Sequence, residues 1–351
     1  MLPAYFVAVE LVVDDGYSPS LTDVLAAGTR KEWLHERARE ATRSRFGSKV
    51  FVRAVVEASN FCRENCSYCG MRADNRTLSR YRAQLDDLTD ALIHHRPSSV
   101  TDVNIQTGED PVAVREVVIP LIEILKRETP LGISVCLGTL SSQLYAALFA
   151  AGASSYIMKF ECADARRYQE VEAPGTLDER LEHIRVLAGT GWVVSSGFIA
   201  GLPGQAPGEL VRALELAGTL PISGCSVSPF IPGDETPLGN SPPSDPATTL
   251  NCMASLRLMQ PEWVIPAVSA LNLAEVQGYQ KGLRAGANLA TINLTPSELR
   301  GNYLIYKRER FIMTEEHVLT ALAAEGLHAS KQSLAEYHRQ TRTADQSGCL
   351  S

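Results

Sequence analysis

The chain has 351 residues, of which 45% are hydrophobic and 21% are charged, and its formal net charge is −7. This composition is typical of a globular protein with a large core and disfavours intrinsic disorder. The acidic balance disfavours nucleic acid as the main partner, because nucleic-acid binding depends on clustered Lys and Arg that neutralise phosphates. The basic run Arg37, Arg39, Arg43 and Arg45 is therefore interpreted as a solvent-facing helical surface.

The start of the chain and its cysteines indicate the compartment. The residues 1–6 lack the basic start and long apolar run of a signal peptide. No segment has the roughly 20 apolar residues that span a bilayer. The 8 cysteines are too few for a disulfide scaffold in a chain of this length. We therefore expect a cytoplasmic protein that contacts no membrane and whose thiols stay reduced.

In chain order, short runs rich in Val and Ile alternate with longer amphipathic stretches, which is the pattern of parallel strands joined by crossover helices. A helix is predicted within 20–48, another over Leu273–Arg284 and another over Thr314–Glu325, and the last polar stretch is expected to fray. The predicted strands are Phe51–Ser59, Val100–Gln106, Ile133–Gly138, Ser155–Glu161, Trp192–Ala200, Gly224–Phe230, Val264–Ala270 and Asn288–Asn293.

Eight such strands favour an α/β protein built as one (β/α)8 TIM-type barrel. The barrel is expected over 49–312, with an N-terminal helical extension over 1–48 and a C-terminal helix and polar tail over 313–351. Active sites of such barrels lie at the carboxyl ends of the strands. Residues that follow a predicted strand directly are therefore the first candidates for function.

The motif Cys62-x3-Cys66-x2-Cys69 follows the first predicted strand directly. Thiolates bind iron–sulfur clusters, zinc or copper. A closed tetrahedral zinc site needs a fourth ligand nearby, and no His lies in or beside this loop. The spacing favours a cubane cluster in which three irons have a cysteine ligand and the fourth is open. A zinc half-site, or three unrelated cysteines, is the weaker alternative.

With Tyr68 directly before its last cysteine, this motif resembles that of the radical S-adenosylmethionine (SAM) superfamily. The resemblance implies one [4Fe-4S] cluster held by Cys62, Cys66 and Cys69, with SAM chelated to the open iron and contacted by Tyr68. It also implies that one electron cleaves SAM to methionine and a 5′-deoxyadenosyl radical. A reducing partner such as flavodoxin or ferredoxin is implied as well.

Four further residues resemble SAM contacts of that family. Gly108 and Glu109 are similar to the element that holds the methionyl amino group, although alone they also fit a turn with a helix-capping acid. Lys159 and Glu161 share one face of the fourth predicted strand. Glu161 matches an acid that contacts the cofactor, and a buried ion pair is its alternative. Arg180 matches an Arg that binds the methionyl carboxylate, and a surface ion pair is its alternative.

Later motifs narrow the resemblance to the biotin-synthase-like group, and within it to the [FeFe]-hydrogenase maturase and methylornithine synthase type. Tyr303 resembles a cofactor-contacting tyrosine of the maturase, and a core tyrosine that caps the barrel is an equal alternative. Sulfur donation as in biotin synthase is disfavoured, because Cys136 is displaced from the expected ligand position and Ser195 stands at another. The other motifs that carry this resemblance are Gln106-Thr107-Gly108-Glu109-Asp110, Gly201-Leu202-Pro203-Gly204-Gln205, Pro229-Phe230-Ile231-Pro232 and Lys281-Gly282-Leu283-Arg284-Ala285-Gly286-Ala287-Asn288.

The resemblance predicts an enzyme whose radical abstracts hydrogen from a small buried substrate, enclosed so that solvent does not quench the radical. Lys159, Ser228 and Ser269 suit a small carboxylate such as an amino acid, and each also fits a core role. Rearrangement of such a substrate in a biosynthetic pathway and maturase-type remodelling of an organometallic or sulfur-containing metallocofactor precursor both stay open. A non-catalytic iron–sulfur electron carrier or sensor is the alternative of another class, but it has no use for Glu109 and Glu161.

Overall fold

A parallel sheet forms the centre of the computed structural model, which describes residues 21–25 and 32–348. The neighbouring strands follow the order β6-β5-β4-β3-β2-β1-β7, β8 pairs with the start of β1, and all these pairings are parallel. The strands are β1 Lys49–Ser59, β2 Asp102–Thr107, β3 Gly132–Cys136, β4 Ser155–Ile157, β5 Val193–Ala200, β6 Cys225–Pro229, β7 Leu289–Asn293 and β8 His328–Ala329.

Helices return the chain between these parallel strands and cover the outer face of the sheet. Their ends follow capping rules: Thr176 and Glu179 form a capping box, and Ser141 accepts a hydrogen bond from the Leu144 N–H. A π-helical turn, Val114–Val118, joins the fourth helix to the fifth. In chain order the α-helices are α1 Leu21–Leu25, α2 Glu32–Phe46, α3 Leu85–Ile93, α4 Pro111–Ala113, α5 Ile119–Glu128, α6 Ser142–Ala151, α7 Ala165–Glu170, α8 Leu177–Gly189, α9 Pro207–Thr219, α10 Pro246–Met259, α11 Leu271–Ala274, α12 Gly278–Arg284, α13 Ser297–Arg300, α14 Glu315–Ala324 and α15 Leu334–Gly348.

Both faces of the sheet are covered, and β1 illustrates how. Val52, Ala54 and Val56 are fully buried in the main hydrophobic core. Arg53 and Glu57 alternate with them and line a cavity on the inner face. Successive side chains of a strand point to opposite faces of the sheet. The apolar side chains of β1 therefore pack on the helix-covered outer face, and the polar side chains point to the inner face, where they can take part in chemistry.

A short segment, rather than a regular strand, lies between β6 and β7. Val264 makes an isolated parallel bridge to Gly224, and Pro266 makes one to Leu289. The predicted strand Val264–Ala270 is therefore wrong as a regular strand, because Pro266 has no N–H to donate to a ladder. The described part of the chain establishes a parallel α/β half-barrel of seven strands, β1 to β7.

Two elements inside the sheet region also differ from prediction. The fourth strand is predicted to reach Glu161 but ends at Ile157 as a regular strand. Beyond it Glu161, whose φ of +61° lies outside the extended region, makes only an isolated parallel bridge to Phe198. The predicted helix Leu273–Arg284 is interrupted between α11 and α12, where Gln277 has a φ of +56°. A left-handed residue interrupts the regular backbone of a strand or a helix.

The ends of the chain follow the predictions in part. Helices α1 and α2 lie within 20–48, as predicted, while 1–20 and 26–31 fall outside the described residues. The polar stretch near the C-terminus was expected to fray, and this is wrong over α15, whose residue Tyr337 is buried against Phe51. The residues 349–351 fall outside the described part. Within it, no helix is both long enough and apolar enough to cross a bilayer.

Candidate active site

Cys62, Cys66 and Cys69 lie in the loop that follows β1, at the carboxyl ends of the strands. Cys66 is buried, the other two are half-buried, and the Glu109 N–H donates to Cys62 Sγ at 3.3 Å. In the ranges that the structure describes, no three His, Cys, Asp or Glu side chains are grouped to hold a single metal ion. A cubane offers a separate iron to each thiolate, so its ligands need not converge on one point.

The environment of these thiols fits a metal cluster. Burial raises the pKa of Cys69 to about 12, and it also raises the pKa values of Cys62 and Cys66. Metal ligands must be thiolates, and a bound cation compensates for burying their negative charge. Tyr68 packs against the main core with its hydroxyl beside Cys66. The loop is therefore suited to an enclosed cluster and not to an exposed redox thiol.

An acid and a guanidinium meet beside Cys62. Glu109 Oε1 lies 3.4 Å from Arg180 Nη1, and the two residues are only 6% and 5% exposed. Glu109 Oε1 accepts from the Thr139 N–H at 2.9 Å, and Arg63 Nη2 donates to Oε2 at 3.0 Å. Arg180 Nε has no hydrogen-bond partner among the described residues. Because an unsatisfied buried donor costs free energy, a ligand that accepts from Arg180 would be stabilised here.

The burial of Arg180 excludes one alternative of the sequence analysis. A surface ion pair requires an exposed guanidinium, whereas Arg180 lies on the inner side of α8 and Nη1 donates to Thr139 Oγ1 at 2.8 Å. Burial opposes its charge, but the neighbouring Tyr168 and Glu109 outweigh this and raise the pKa of Arg180. Arg180 is therefore a charged group held at the carboxyl end of the sheet.

Two glycines make room for this arrangement. A Cβ at Gly108 would lie 2.2 Å from Phe61 O and 2.8 Å from Cys62 Cβ, so the glycine allows the end of β2 to approach the cysteine loop. Gly138 has a φ of +70°, and a Cβ there would lie 2.2 Å from Glu109 Cγ. Gly108 is predicted from the resemblance as part of the element that holds the methionyl amino group, whereas no role is assigned to Gly138, because an isolated glycine after a strand is a weak signal.

Lys159 and Glu161 lie together, as predicted, although both follow the end of β4. Glu161 Oε2 is 3.2 Å from Lys159 Nζ and forms an ion pair with it. The angles of this contact do not meet those of a hydrogen bond, so Glu161 Oε2 has no hydrogen-bond partner among the described residues. The left-handed backbone of Glu161 is costly for a non-glycine residue, by about 1–3 kcal/mol. Burial opposes the charge of Lys159, but Glu161 and Tyr306 outweigh it and raise the pKa, so the amine is protonated.

The inward side chains enclose a cavity of about 200 Å³. Its lining includes the three predicted substrate residues Lys159, Ser228 and Ser269. It also includes polar residues that the sequence analysis did not assign to the site, namely Arg53, Glu57, Asn104, Gln106, Cys136, Thr291, Asn293, Tyr306 and Arg310. The cavity is smaller than the pockets for drug-sized ligands, which begin at roughly 300 Å³.

The charges that line the cavity are unequal. Arg53, Lys159 and Arg310 are cations, whereas Glu57 is the one carboxylate among the described lining residues. Glu57 is 1% exposed, accepts from Arg310 Nη1 at 2.6 Å and from Asn293 Nδ2 at 3.1 Å, and forms an ion pair with Arg310 Nη2. Cations therefore outnumber carboxylates among the described lining residues, while Lys159 is also paired with Glu161 just outside the lining.

Arg53 differs from the other two cations because no described carboxylate lies within ion-pair distance of it. Its Nε donates to Thr291 Oγ1 at 3.2 Å. Burial lowers the pKa of Arg53, and weaker attraction from Cys136, Asp102 and Tyr279 opposes this. A signal was present in the sequence: Arg53 and Glu57 are charged residues at alternate positions of a Val-rich strand.

Tyr303 lies between the cavity and the cysteine loop. It is buried in a small apolar cluster with Met71, Leu78 and Leu304, to which Cys62 and Cys69 are adjacent. The Arg310 guanidinium lies 5.6 Å from the centre of its ring. Its position beside the cysteine loop is compatible with cofactor contact, and its burial is compatible with the alternative role of capping the core.

Comparison with known proteins identifies the family. A family profile described as "Radical SAM superfamily" matches residues 56–217. The "[FeFe] hydrogenase maturase subunit HydE" of Thermotoga maritima is 31% identical over 275 residues, which cover 78% of this chain and 79% of the relative. The chain belongs to the radical SAM superfamily. This radical SAM protein is therefore an enzyme of that superfamily, and membership implies a [4Fe-4S] cluster and SAM.

Two further similarities agree with the predicted branch of the radical SAM superfamily. The "3-methylornithine synthase" of Methanosarcina barkeri is 27% identical over 273 residues, which cover 77% of each chain. The crystal structure of methylornithine synthase (PylB) superposes with a TM-score of 0.79 at 25% identity, over 90% of this chain and 96% of that one. The predicted resemblance to the maturase and methylornithine synthase type is confirmed.

Proposed function

We propose that this enzyme holds one [4Fe-4S] cluster on Cys62, Cys66 and Cys69 and cleaves SAM reductively to act on a small enclosed carboxylate. The observation that carries the proposal is the buried pair of Glu109 and Arg180 beside Cys62. The methionyl part of SAM has an ammonium and a carboxylate, and an acid next to a guanidinium is complementary to both. When bound, the cluster and SAM supply a 5′-deoxyadenosyl radical.

On the cofactor side, each residue has a distinct task. Glu109 accepts hydrogen bonds from the methionyl ammonium, and Arg180 donates to the methionyl carboxylate through the guanidinium whose Nε has no described partner. Gly108 keeps the end of β2 against the cysteine loop. Glu161 faces the cofactor, and its strained backbone supports this role because such strain concentrates at binding sites. Tyr68 and Tyr303 complete the contacts.

On the substrate side, Lys159, Ser228 and Ser269 bind a small carboxylate inside the cavity, and Arg53 supplies a charge that has no described carboxylate within ion-pair distance. The Glu57 carboxylate is already bound by Arg310, so it is not free to pair with an ammonium of the substrate. These charges support an acidic amino acid or a related carboxylate over a dibasic amino acid. The reaction we propose is a rearrangement in a biosynthetic pathway.

The proposal also includes closure of the half-barrel into a complete barrel. Val264 bridges to Gly224 and Pro266 bridges to Leu289, which supports a role for the segment 264–266 in closing a (β/α)8 barrel. We propose that this barrel spans 49–312, that 1–48 is a helical extension, and that 313–351 is a C-terminal segment. Closure of the sheet in this way encloses the cavity on all sides, which protects a reactive radical from solvent.

A second candidate is maturase-type remodelling of an organometallic or sulfur-containing metallocofactor precursor. The 31% identity to HydE, over 79% of that relative, favours it. In this reading the cationic interior receives an anionic precursor instead of a metabolite. A non-catalytic electron carrier is the remaining candidate of another class, and it predicts that SAM stays intact.

The experiment is anaerobic reconstitution with iron and sulfide, reduction by dithionite or by flavodoxin, and mass spectrometry of SAM products. We expect wild-type protein to release methionine and 5′-deoxyadenosine, and Cys66→Ala to release neither, because the cluster loses a ligand. Cys252→Ala is the matched control, since its thiol is buried in α10 away from the loop. Intact SAM with wild-type protein would contradict the proposed function.

The same assay separates the two enzyme candidates. Release of 5′-deoxyadenosine is measured with a panel of acidic amino acids, other small carboxylates and lysine. Stimulation by a carboxylate, with conversion of that carboxylate, supports the rearrangement. Stimulation only by a metal-containing or sulfur-containing precursor supports the maturase-type reaction.

A further inference from the structure

Two neighbouring cavities are separated by a wall of side chains that line both. The inner one is the reaction cavity of about 200 Å³ described above. The outer one, of about 520 Å³, lies where α14 approaches the loop between α11 and α12, and Val276 at its rim is 84% exposed. Two side chains, Phe311 and Met313, line both cavities.

We propose that Phe311 and Met313 form a gate through which the small substrate passes from the outer cavity into the reaction cavity. The outer cavity is then the vestibule of the active site. The inference rests on the proposed function only for the identity of the substrate, because the passage itself is measurable without turnover.

The contacts of the wall suit a gate that opens by side-chain rotation. In the part of the chain that the structure describes, no hydrogen bond holds the main chain of Phe311. Its ring packs on the imidazole of His317, with 5.1 Å between ring centres. Met313 is anchored by its carbonyl, which accepts from the Asn293 N–H at 2.9 Å, while its Sδ is a weak acceptor for Asn272 Nδ2 at 3.7 Å. Rotation of these side chains therefore breaks few hydrogen bonds, and the larger cost lies in the packing of Met313, which is buried in the main core.

The opposite side of the reaction cavity is closed by direct packing. A strap of irregular chain, 301–310, crosses the carboxyl ends of the strands and touches the cysteine loop. A Cβ at Gly70 would lie 2.6 Å from Leu304 Cγ and 2.7 Å from Leu304 O. Passage on that side requires the strap and the cysteine loop to separate, and Arg310 pins the strap to Glu57. The Phe311 side therefore has the lower cost of opening.

Cys136 provides a native reporter of passage because its thiol lines the reaction cavity. Reconstituted holoenzyme is treated anaerobically with iodoacetamide, and the labelling rate of Cys136 is measured by peptide mapping. We expect Phe311→Ala to speed labelling by about tenfold, equivalent to ~1.4 kcal/mol in the opening barrier, and Phe311→Trp to slow it. Leu319→Ala is the matched control, since it removes an exposed side chain of α14 that lines neither cavity.

Two further readouts keep the test decisive. Cys252, fully buried in α10, reports global opening, so its labelling must not rise with that of Cys136. Saturating SAM without reductant is expected to leave the labelling of wild-type Cys136 unchanged. Blockade by SAM, or an unchanged rate in Phe311→Ala, overturns the gate. The SAM measurement needs no variant and decides the question if Phe311→Ala fails to fold.

The result is independent of the proposed function. SAM cleavage with labelling that does not depend on Phe311 overturns only the gate. Labelling that depends on Phe311 in a protein that does not cleave SAM overturns only the proposed function and leaves the passage in place.

Discussion

The cysteine-loop end and the cavity interior are assembled in different ways. At the loop end, Cys62, Cys66 and Cys69 lie within one short segment, and Gly108 and Glu109 are adjacent in sequence. In the interior, the polar groups come a few at a time from separate strands and from the strap. The cofactor side is therefore encoded by contiguous motifs, whereas the substrate side is encoded by isolated inward positions.

The two regions also differ in charge balance. Beside the cysteine loop, Glu109 forms ion pairs with Arg63 and Arg180, so a negative charge and positive charges lie next to each other. In the interior, cations outnumber carboxylates, and Arg53 has no described ionic partner. The first arrangement suits a zwitterion, and the second suits an anion.

In the cavity interior, substitution of Arg310 is expected to change the free energy of unfolding most. Arg310→Met leaves the buried Glu57 carboxylate without its ionic partner, so we expect a loss of about 3–5 kcal/mol in the free energy of unfolding. Urea denaturation measures this loss. The double variant Glu57→Gln, Arg310→Met removes the stranded charge and is expected to recover most of it. A loss under about 1 kcal/mol in Arg310→Met, as for a surface pair, would contradict the account.

At the loop end, Asp110 predicts a pH-dependent effect. Burial alone would raise the pKa of Asp110, but hydrogen bonds from Arg82 at 2.7 Å and from Ser59 at 2.7 Å outweigh it and lower that pKa. The ionised carboxylate thus stabilises the fold above its unfolded pKa, and this contribution is lost as pH falls through the lowered folded pKa. We expect Arg82→Gln to cost about 2 kcal/mol at pH 7.

Urea unfolding of wild type and Arg82→Gln across the acidic range checks this expectation. The difference between the two proteins is expected to shrink as Asp110 becomes protonated. Arg76→Gln is the control. Arg76 lies in the same loop region, but its side chain is exposed and its contact with Asp74 is long, at 3.9 Å. A difference that grows towards acid would contradict the assigned pKa direction.

The role of Arg180 at the cysteine-loop end is tested by measuring the affinity for SAM. Lysine keeps the charge but loses the planar fork that binds a carboxylate, so Arg180→Lys is expected to raise the dissociation constant of SAM about tenfold. Equilibrium dialysis without reductant measures it. Arg185→Lys, exposed on the same helix, is the matched control. Equal affinity in wild type and Arg180→Lys would remove Arg180 from the proposed SAM site.

The smallest expected effect is on substrate-side binding at Arg53. Arg53→Gln keeps a polar side chain but removes the charge, so we expect the affinity for succinate, a probe dicarboxylate, to fall about fivefold to tenfold. Saturation-transfer NMR on holoenzyme measures the affinity for succinate, with lysine as the comparison ligand. Arg127→Gln is the control variant, because Arg127 is exposed on the outer helix α5. Tighter binding of lysine than of succinate would contradict an anionic substrate.

The cysteine-loop end is well predicted from the sequence because its signals are local. Cysteine spacing and the pair Gly108-Glu109 are readable without knowing which strands are neighbours. The interior was recovered only in part: Lys159, Ser228 and Ser269 were expected near strand ends, whereas Arg310 was not assigned to the site. Its partner Glu57 is distant in the chain, and no local pattern links the two.

By itself the sequence determined the alternation of strands and helices, the three clustered thiols and the radical SAM resemblance, because periodicity and spacing act over short stretches of chain. The tertiary structure decided which residues meet: Glu109 with Arg180, Glu57 with Arg310, and Arg53 with no described carboxylate. It also decided that Val264–Ala270 is not a regular strand and that Glu161 takes a left-handed conformation. Such outcomes depend on packing between distant segments, where the burial of charge and the geometry of neighbouring strands override local preference.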